Sequence, residues 1–243
     1  MPHAMQVAAL LFLGIVCSVP ATSAATVNGT VMLVSAETRL PRKGDWSAVV
    51  VWLEPVSNTG APAEPTAEKH VAMDQRNKTF VPHVLAIQVG TTVDFPNDDP
   101  IDHNVFSNYD GQIFDVHLYS PQTSKRVVFR RPGIVHVFCN IHDTMSGVIA
   151  VLATPYFAVT AADGRYAIDA PLGDYRLHFW QEYAEPDALA KLERSVRVGD
   201  QAVTIAEETI AVRAVSVVDH KDKYGHDYHV KPPEYIFYPG VRR

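Results

Sequence analysis

Pro132-Gly133-Ile134-Val135-His136-Val137-Phe138-Cys139-Asn140-Ile141-His142-Asp143-Thr144-Met145-Ser146-Gly147-Val148-Ile149-Ala150-Val151-Leu152 is the stretch that decides the fold. The Pro-Gly pair reads as a turn, and the residues after it alternate so that Val135, Val137 and Cys139 share one strand face. Cys139 then ends the strand pointing inward. From Met145 the chain resumes a strand at once, so Cys139, His142 and Met145 lie on a short loop between two ordered β-segments. A rigid loop of this kind can hold a metal geometry. Thiolate, imidazole and thioether are soft donors that suit copper. Upstream, Asp102-His103-Asn104-Val105-Phe106 offers a second imidazole. One Cys, two His and a distant Met form the ligand set of a blue-copper electron-transfer site.

The other histidines read differently. His136 alternates away from Cys139 and is expected to face solvent or the other layer. His70, His83, His117 and His178 have no ligand-like partners in sequence and are read as ordinary core or surface residues.

The segment from about residue 71 to 152 resembles a cupredoxin, the plastocyanin and amicyanin kind of domain. The resemblance is carried by Val89-Gly90-Thr91-Thr92-Val93-Asp94-Phe95 as a strand, by His103-Asn104-Val105 after it, and by the Pro-Gly strand leading into Cys139-x-x-His142-x-x-Met145. It implies a type 1 copper centre, with Cys139 as thiolate ligand, His103 and His142 as equatorial imidazoles and Met145 as the weak axial ligand. Asn104 matches the family residue that braces the Cys loop by hydrogen bonding. The two-residue gap before Met145 resembles the short ligand loop of amicyanins. One departure is Asn140-Ile141, where the family usually has Ser/Thr-Pro between Cys and His. The wider chain is similar to periplasmic proteins labelled methylamine utilization proteins, which join a cupredoxin to a carboxypeptidase regulatory-like sandwich.

Residues 1–24 read as a secretory signal: an apolar run over 7–19, then Pro20-Ala21-Thr22-Ser23-Ala24-Ala25 as a small-residue cleavage site. The run is too short for a membrane span. Cleavage would leave Cys139 as the single cysteine, because Cys17 lies inside the signal. A lone thiol in an oxidising compartment cannot staple the fold, and metal ligation would protect it. The expected location is periplasmic or secreted. A formal charge of −6 with 20% charged residues describes a soluble acidic chain without a basic patch for nucleic acid.

About 219 residues remain after cleavage, enough for one or two cores. Strand signals dominate, at 30–35, 48–53, 89–95, 126–129, 134–139 and 148–152, and one short helix is expected near 187–194. The expected fold class is all-β: a cupredoxin Greek-key sandwich over 69–153 plus a transthyretin-like, carboxypeptidase regulatory-like sandwich. The second sandwich is suggested by Asp163-Gly164-x-Tyr166 and Gly173-x-Tyr175-x-Leu177, with a hairpin expected over 157–168. Its opening strands resemble Val27-Asn28-Gly29-Thr30-Val31 and Ala48-Val49-Val50-Val51-Trp52-Leu53. This division joins 26–60 with 154–214 and makes the cupredoxin an insertion; a contiguous second domain is the alternative. Residues 57–66 read as a linker or surface loop. The tail, 215–243, carries His220, His226 and His229 and is expected to wrap the surface in solvent rather than to catch a metal.

Two functions follow. A type 1 copper electron carrier needs no open coordination position, whereas a copper storage or delivery protein needs exchangeable ligands. Enzymatic activity is not expected, since no nucleophile-base arrangement or second metal cluster is visible. His142 with Ile141 would be the electron exit. Asp98, Asp99, Asp102 and Asp143 would form an acidic rim for a redox partner such as a basic c-type cytochrome.

Overall fold

The structure, a computed structural model, describes residues 24–37, 45–57, 69–108, 112–213 and 220–227. The signal expected over 1–24 lies outside these residues apart from Ala24, as do most of the 57–66 loop and His229 of the tail. An all-β architecture of packed sandwiches is what the sequence led us to expect and what the structure has.

In one sandwich the long β1 (Ala24–Ser35) lies at the centre of a sheet. It pairs antiparallel with β14 (Arg165–Pro171) and parallel with β17 (Val203–Thr204) and β18 (Glu208–Val212). The facing sheet runs β13 (Phe157–Val159), β2 (Val50–Pro55), β15 (Gly173–Trp180), β16 (Arg194–Val198). Between them pack Val27, Val31, Leu33, Val51, Leu53, Ile168, Leu177 and Phe179. The helix α1 (Pro186–Ala190) is shorter than expected and buries Leu189.

In the other sandwich β7 (Thr92–Pro96) pairs with β3 (His70–Ala72) and β10 (Ser124–Val128). Opposite lies the sheet β6 (Val84–Gln88), β12 (His142–Leu152), β11 (Gly133–Cys139), β8 (Phe106–Ser107), β9 (Phe114–Asp115). Val93 and Phe95 from one sheet meet Val135, Val137, Ile149 and Val151 from the other. A small hairpin, β4 (Asp74–Arg76) and β5 (Thr79–Val81), turns at Asn77 and Lys78, both at positive φ.

A third core joins the two sandwiches. Val50 and Trp52 of β2 with Phe157 and Trp180 pack against Val84, Val148, Ala150 and Leu152. Strands β2 and β12 are therefore covered on both faces, which is why each reads as an unbroken apolar run rather than an alternation. Beside this core His83 Nε2 lies 2.7 Å from a carboxylate oxygen of Glu182, across the interface. The Glu182 contact raises the His83 pKa against the effect of burial.

The structure corrects three expectations. The segment 157–168 is not a hairpin: β13 pairs with β2 and β14 with β1, in opposite sheets. The Asp163-Gly164 turn forms, but the Gly164 carbonyl accepts the Val31 N–H at 2.9 Å and diverts the chain onto β1. Gly164 has φ +76°, and a Cβ there would stand 2.0 Å from the Val31 carbonyl oxygen. The strand expected over 89–95 starts only at Thr92, because Gly90 at φ 91° turns the chain out of β6. Strand β12 begins at His142, so that ligand candidate sits on a strand end rather than in a free loop.

Candidate metal centre

His103 lies between β7 and β8, where its N–H and carbonyl bond Tyr119 at 3.1 and 2.8 Å. The loop before it is knotted by buried Asn97, whose amide donates to the Ile101 carbonyl at 2.9 Å and whose Oδ1 accepts the Asp99 N–H at 3.1 Å. His103 is thereby fixed with no exposed surface. Cys139 ends β11, equally buried.

The register between β11 and β12 steps from Phe138 opposite Ser146 to Cys139 opposite His142. Residues 143–145 are extra on one side, a bulge of the kind that re-aims side chains. Asp143 and Thr144 turn out to solvent, whereas Met145 turns into the core cluster that contains Cys139.

Three of the four ligand candidates thus converge. Cys139 Sγ lies 3.6 Å from His103 Nδ1 and 3.5 Å from His142 Nδ1, and the three donor atoms all lie within 4.8 Å of one another. An ion about 2.0 Å from each nitrogen and about 2.3 Å from sulfur, with ligands about 110–120° apart, needs S···N separations of about 3.5–3.7 Å. The two separations from sulfur suit such an ion.

Their protonation fits as well. Burial pushes the Cys139 thiol up, while backbone N–H groups of Ile141, Asn104 and His142 aimed at the sulfur favour the thiolate. A cation would displace the remaining proton. Burial, with help from His103 and Lys78, lowers His142, keeping its imidazole neutral and able to donate.

Behind the donors stands a layer of hydrogen bonds. Asp99 was expected on an exposed acidic rim; it is instead buried, and its Oδ2 lies 2.8 Å from His103 Nε2. A ring proton on Nε2 would meet the carboxylate and leave Nδ1 as the lone pair facing Cys139. The same carboxylate accepts the N–H groups of Asn77 and Lys78 at 2.6 and 2.8 Å, holding the β4–β5 turn. Burial alone would raise the Asp99 pKa, yet Lys78, His103 and Asn77 together hold its carboxyl below the ordinary range. Asn104 Oδ1 accepts the Asn140 N–H at 3.2 Å, and its amide donates to Asp115 at 2.7 Å.

The remaining histidines have other partners. His70 meets Asp94 at 2.8 Å, His117 meets Asp115 at 3.3 Å, and His178 lies between Glu193 and Glu54, stacked on Trp52. His136 is half-buried and stacks on Phe138.

The tail departs from expectation, because His220 is buried against Phe138 and Phe106 rather than solvated. Sequence reasoning also missed Asp99, Asp115 and Lys223 as partners of the site. Only the placement of Asp99 four residues before His103 hinted at a role, and in a loop that spacing has no fixed meaning.

Among the described residues no helix is long and apolar enough to cross a membrane. No family model matches the chain. Over 59 residues, 24% of its length, it is 41% identical to the methylamine utilization protein MauL of Methylorubrum extorquens, and the match spans 52% of that protein, about half its length. Among solved structures it is similar to a novel purple cupredoxin from Nitrosopumilus maritimus, at 25% identity over 35% of this chain and 100% of that one, with a TM-score of 0.31. It is also similar to a reduced mutant of amicyanin, at 19% identity over 42% of this chain and 98% of that one, with a TM-score of 0.33.

Proposed function

We propose that the chain is a periplasmic type 1 copper electron carrier, in which His103, Cys139 and His142 would hold one copper ion with Met145 as a weaker fourth donor. The observation that carries this reading is the convergence of two Nδ1 atoms on one buried Sγ at 3.5 and 3.6 Å. Bound copper would supply a one-electron couple in a geometry that suits both of its oxidation states. The chain's own residues keep that geometry fixed: Asp99 orients His103, Asn104 holds the Cys139 loop, and the bulge brings Met145 inward. We read 69–153 as the cupredoxin unit, inserted into a sandwich of 26–60 and 154–214. The pairing of β1 with β14 and of β2 with β13 and β15 supports that division.

Met145→Leu tests whether the thioether would be a donor. The variant is expected to keep copper and colour but to raise the reduction potential, because Cu(II) loses a weak donor. If the thioether favours the oxidised ion by about 2 kcal/mol, the rise is about 90 mV. An unchanged potential would remove Met145 from the site.

Ile141, 47% exposed, adjoins the partly exposed His142. Asp102 and Asp143 are exposed nearby in sequence, and Asp98 is exposed but paired with Arg76 at 2.7 Å. We propose this end as the docking face for a basic redox protein such as a c-type cytochrome. Transfer rates to a basic cytochrome should fall as salt rises, and Asp102→Asn with Asp143→Asn should slow them a few-fold at low salt. Stopped-flow rates that ignore both salt and the substitutions would exclude this steering.

A further inference from the structure

Residues 220–227 lie against the ligand loop of the candidate centre. His220 Nε2 is 3.2 Å from the carbonyl oxygen of His142, a distance that a ring N–H satisfies. Its ring is buried, 4.5 Å from the Phe138 ring centroid and 6.2 Å from that of Phe106. The Lys223 N–H donates to Asn140 Oδ1 at 2.9 Å, and its ammonium reaches Asp115 Oδ2 at 2.8 Å. The other oxygen of Asp115 accepts from Asn104, whose own Oδ1 accepts the Asn140 N–H. Asn108 closes the ring by donating to the Lys223 carbonyl at 3.3 Å. Asn140 is therefore gripped at its backbone N–H by Asn104 and at its side chain by Lys223, and both grips end on Asp115.

The loop between Cys139 and His142 is Asn140-Ile141, with no proline to stiffen it. A loop without such a residue must be held from outside if its imidazole is to stay within a few tenths of an ångström of one place. We propose that the segment 220–227 is a strap that does this, with His220 and Lys223 as positioning residues for His142. The chain itself supplies, from its far end, the stiffness that the loop lacks. As a statement about the metal centre, this rests on the copper reading above.

The test uses the full chain with His220→Leu, which fills the apolar slot but cannot donate, with Lys223→Met, and with Lys223→Arg as the conservative control. Amide hydrogen exchange of residues 140–145 is read in the metal-free protein, and the visible spectrum and potential are read after copper loading. The strap predicts roughly five- to tenfold faster exchange at the loop in His220→Leu, the factor that loss of one hydrogen bond gives, and a smaller rise in Lys223→Met, which loses the ammonium–Asp115 contact but keeps the main-chain bond to Asn140. It also predicts a shifted copper band and potential in both, with Lys223→Arg close to the parent. Unchanged exchange overturns the proposal. So does a loosened loop that still gives the parent's spectrum and potential. A parent protein that takes up copper without a blue band would instead overturn the copper reading, and the exchange data from the metal-free protein would still decide the strap.

Discussion

Replacing Cys139 by Ser is expected to abolish the blue absorption of the copper-loaded protein and to weaken copper binding by at least about 100-fold, with the sandwich intact. The band requires a copper-thiolate bond, and a serine hydroxyl stays protonated and hard where a soft anion is needed. The fold should tolerate the change because the two side chains are nearly the same size. The backbone N–H groups of Asn104, Ile141 and His142 that now face sulfur would meet an oxygen acceptor instead. The stability cost should be about 1 kcal/mol. Visible absorption, a chelator competition and circular dichroism check the three parts. A blue Cys139→Ser protein would contradict the assignment outright.

Asp99→Asn is expected to lower copper affinity by about 10- to 100-fold, the usual cost of losing a partner behind a metal-binding histidine. The carboxylate receives three donors: the Asn77 N–H on Oδ1, and the Lys78 N–H and the His103 ring on Oδ2. An amide turned either way puts its own NH2 against at least one of them. Even with the amide oxygen kept toward Lys78 and His103, a neutral amide accepts more weakly than a carboxylate and enriches the His103 lone pair less, so Cu(II) would lose more than Cu(I) and the potential should rise. Affinity and potential both equal to the parent's would show that Asp99 only caps the β4–β5 turn.

The parts of this molecule that were legible in the sequence are those written in local pattern. The alternation over 134–139 set the face of Cys139, and β11 has that face in the core. The spacing of Cys139, His142 and Met145 marked the candidate centre. What escaped was non-local. Asp163-Gly164 signals a turn, but whether two strands part after it depends on β1, more than a hundred residues earlier, whose Val31 N–H the Gly164 carbonyl takes. Asp99 looked like any surface acid because nothing local says that Asn77, Lys78 and His103 will surround it. The burial of His220 was hidden for the same reason, since its apolar partners Phe106 and Phe138 lie about a hundred residues away. The third core was written in plain view, in the unbroken runs Val49-Val50-Val51-Trp52-Leu53 and Val148-Ile149-Ala150-Val151-Leu152. Such runs announce burial on both faces, though not against which partner.

The most direct test of the central claim is a titration of the purified metal-free protein with Cu(II), followed by visible absorption through a cycle of reduction and reoxidation. The donor geometry of His103, Cys139 and His142 predicts an intense blue band that saturates at one copper per chain, bleaches on reduction and returns in full. A pale complex without a thiolate band, or a band that does not survive the cycle, would contradict the electron-carrier account.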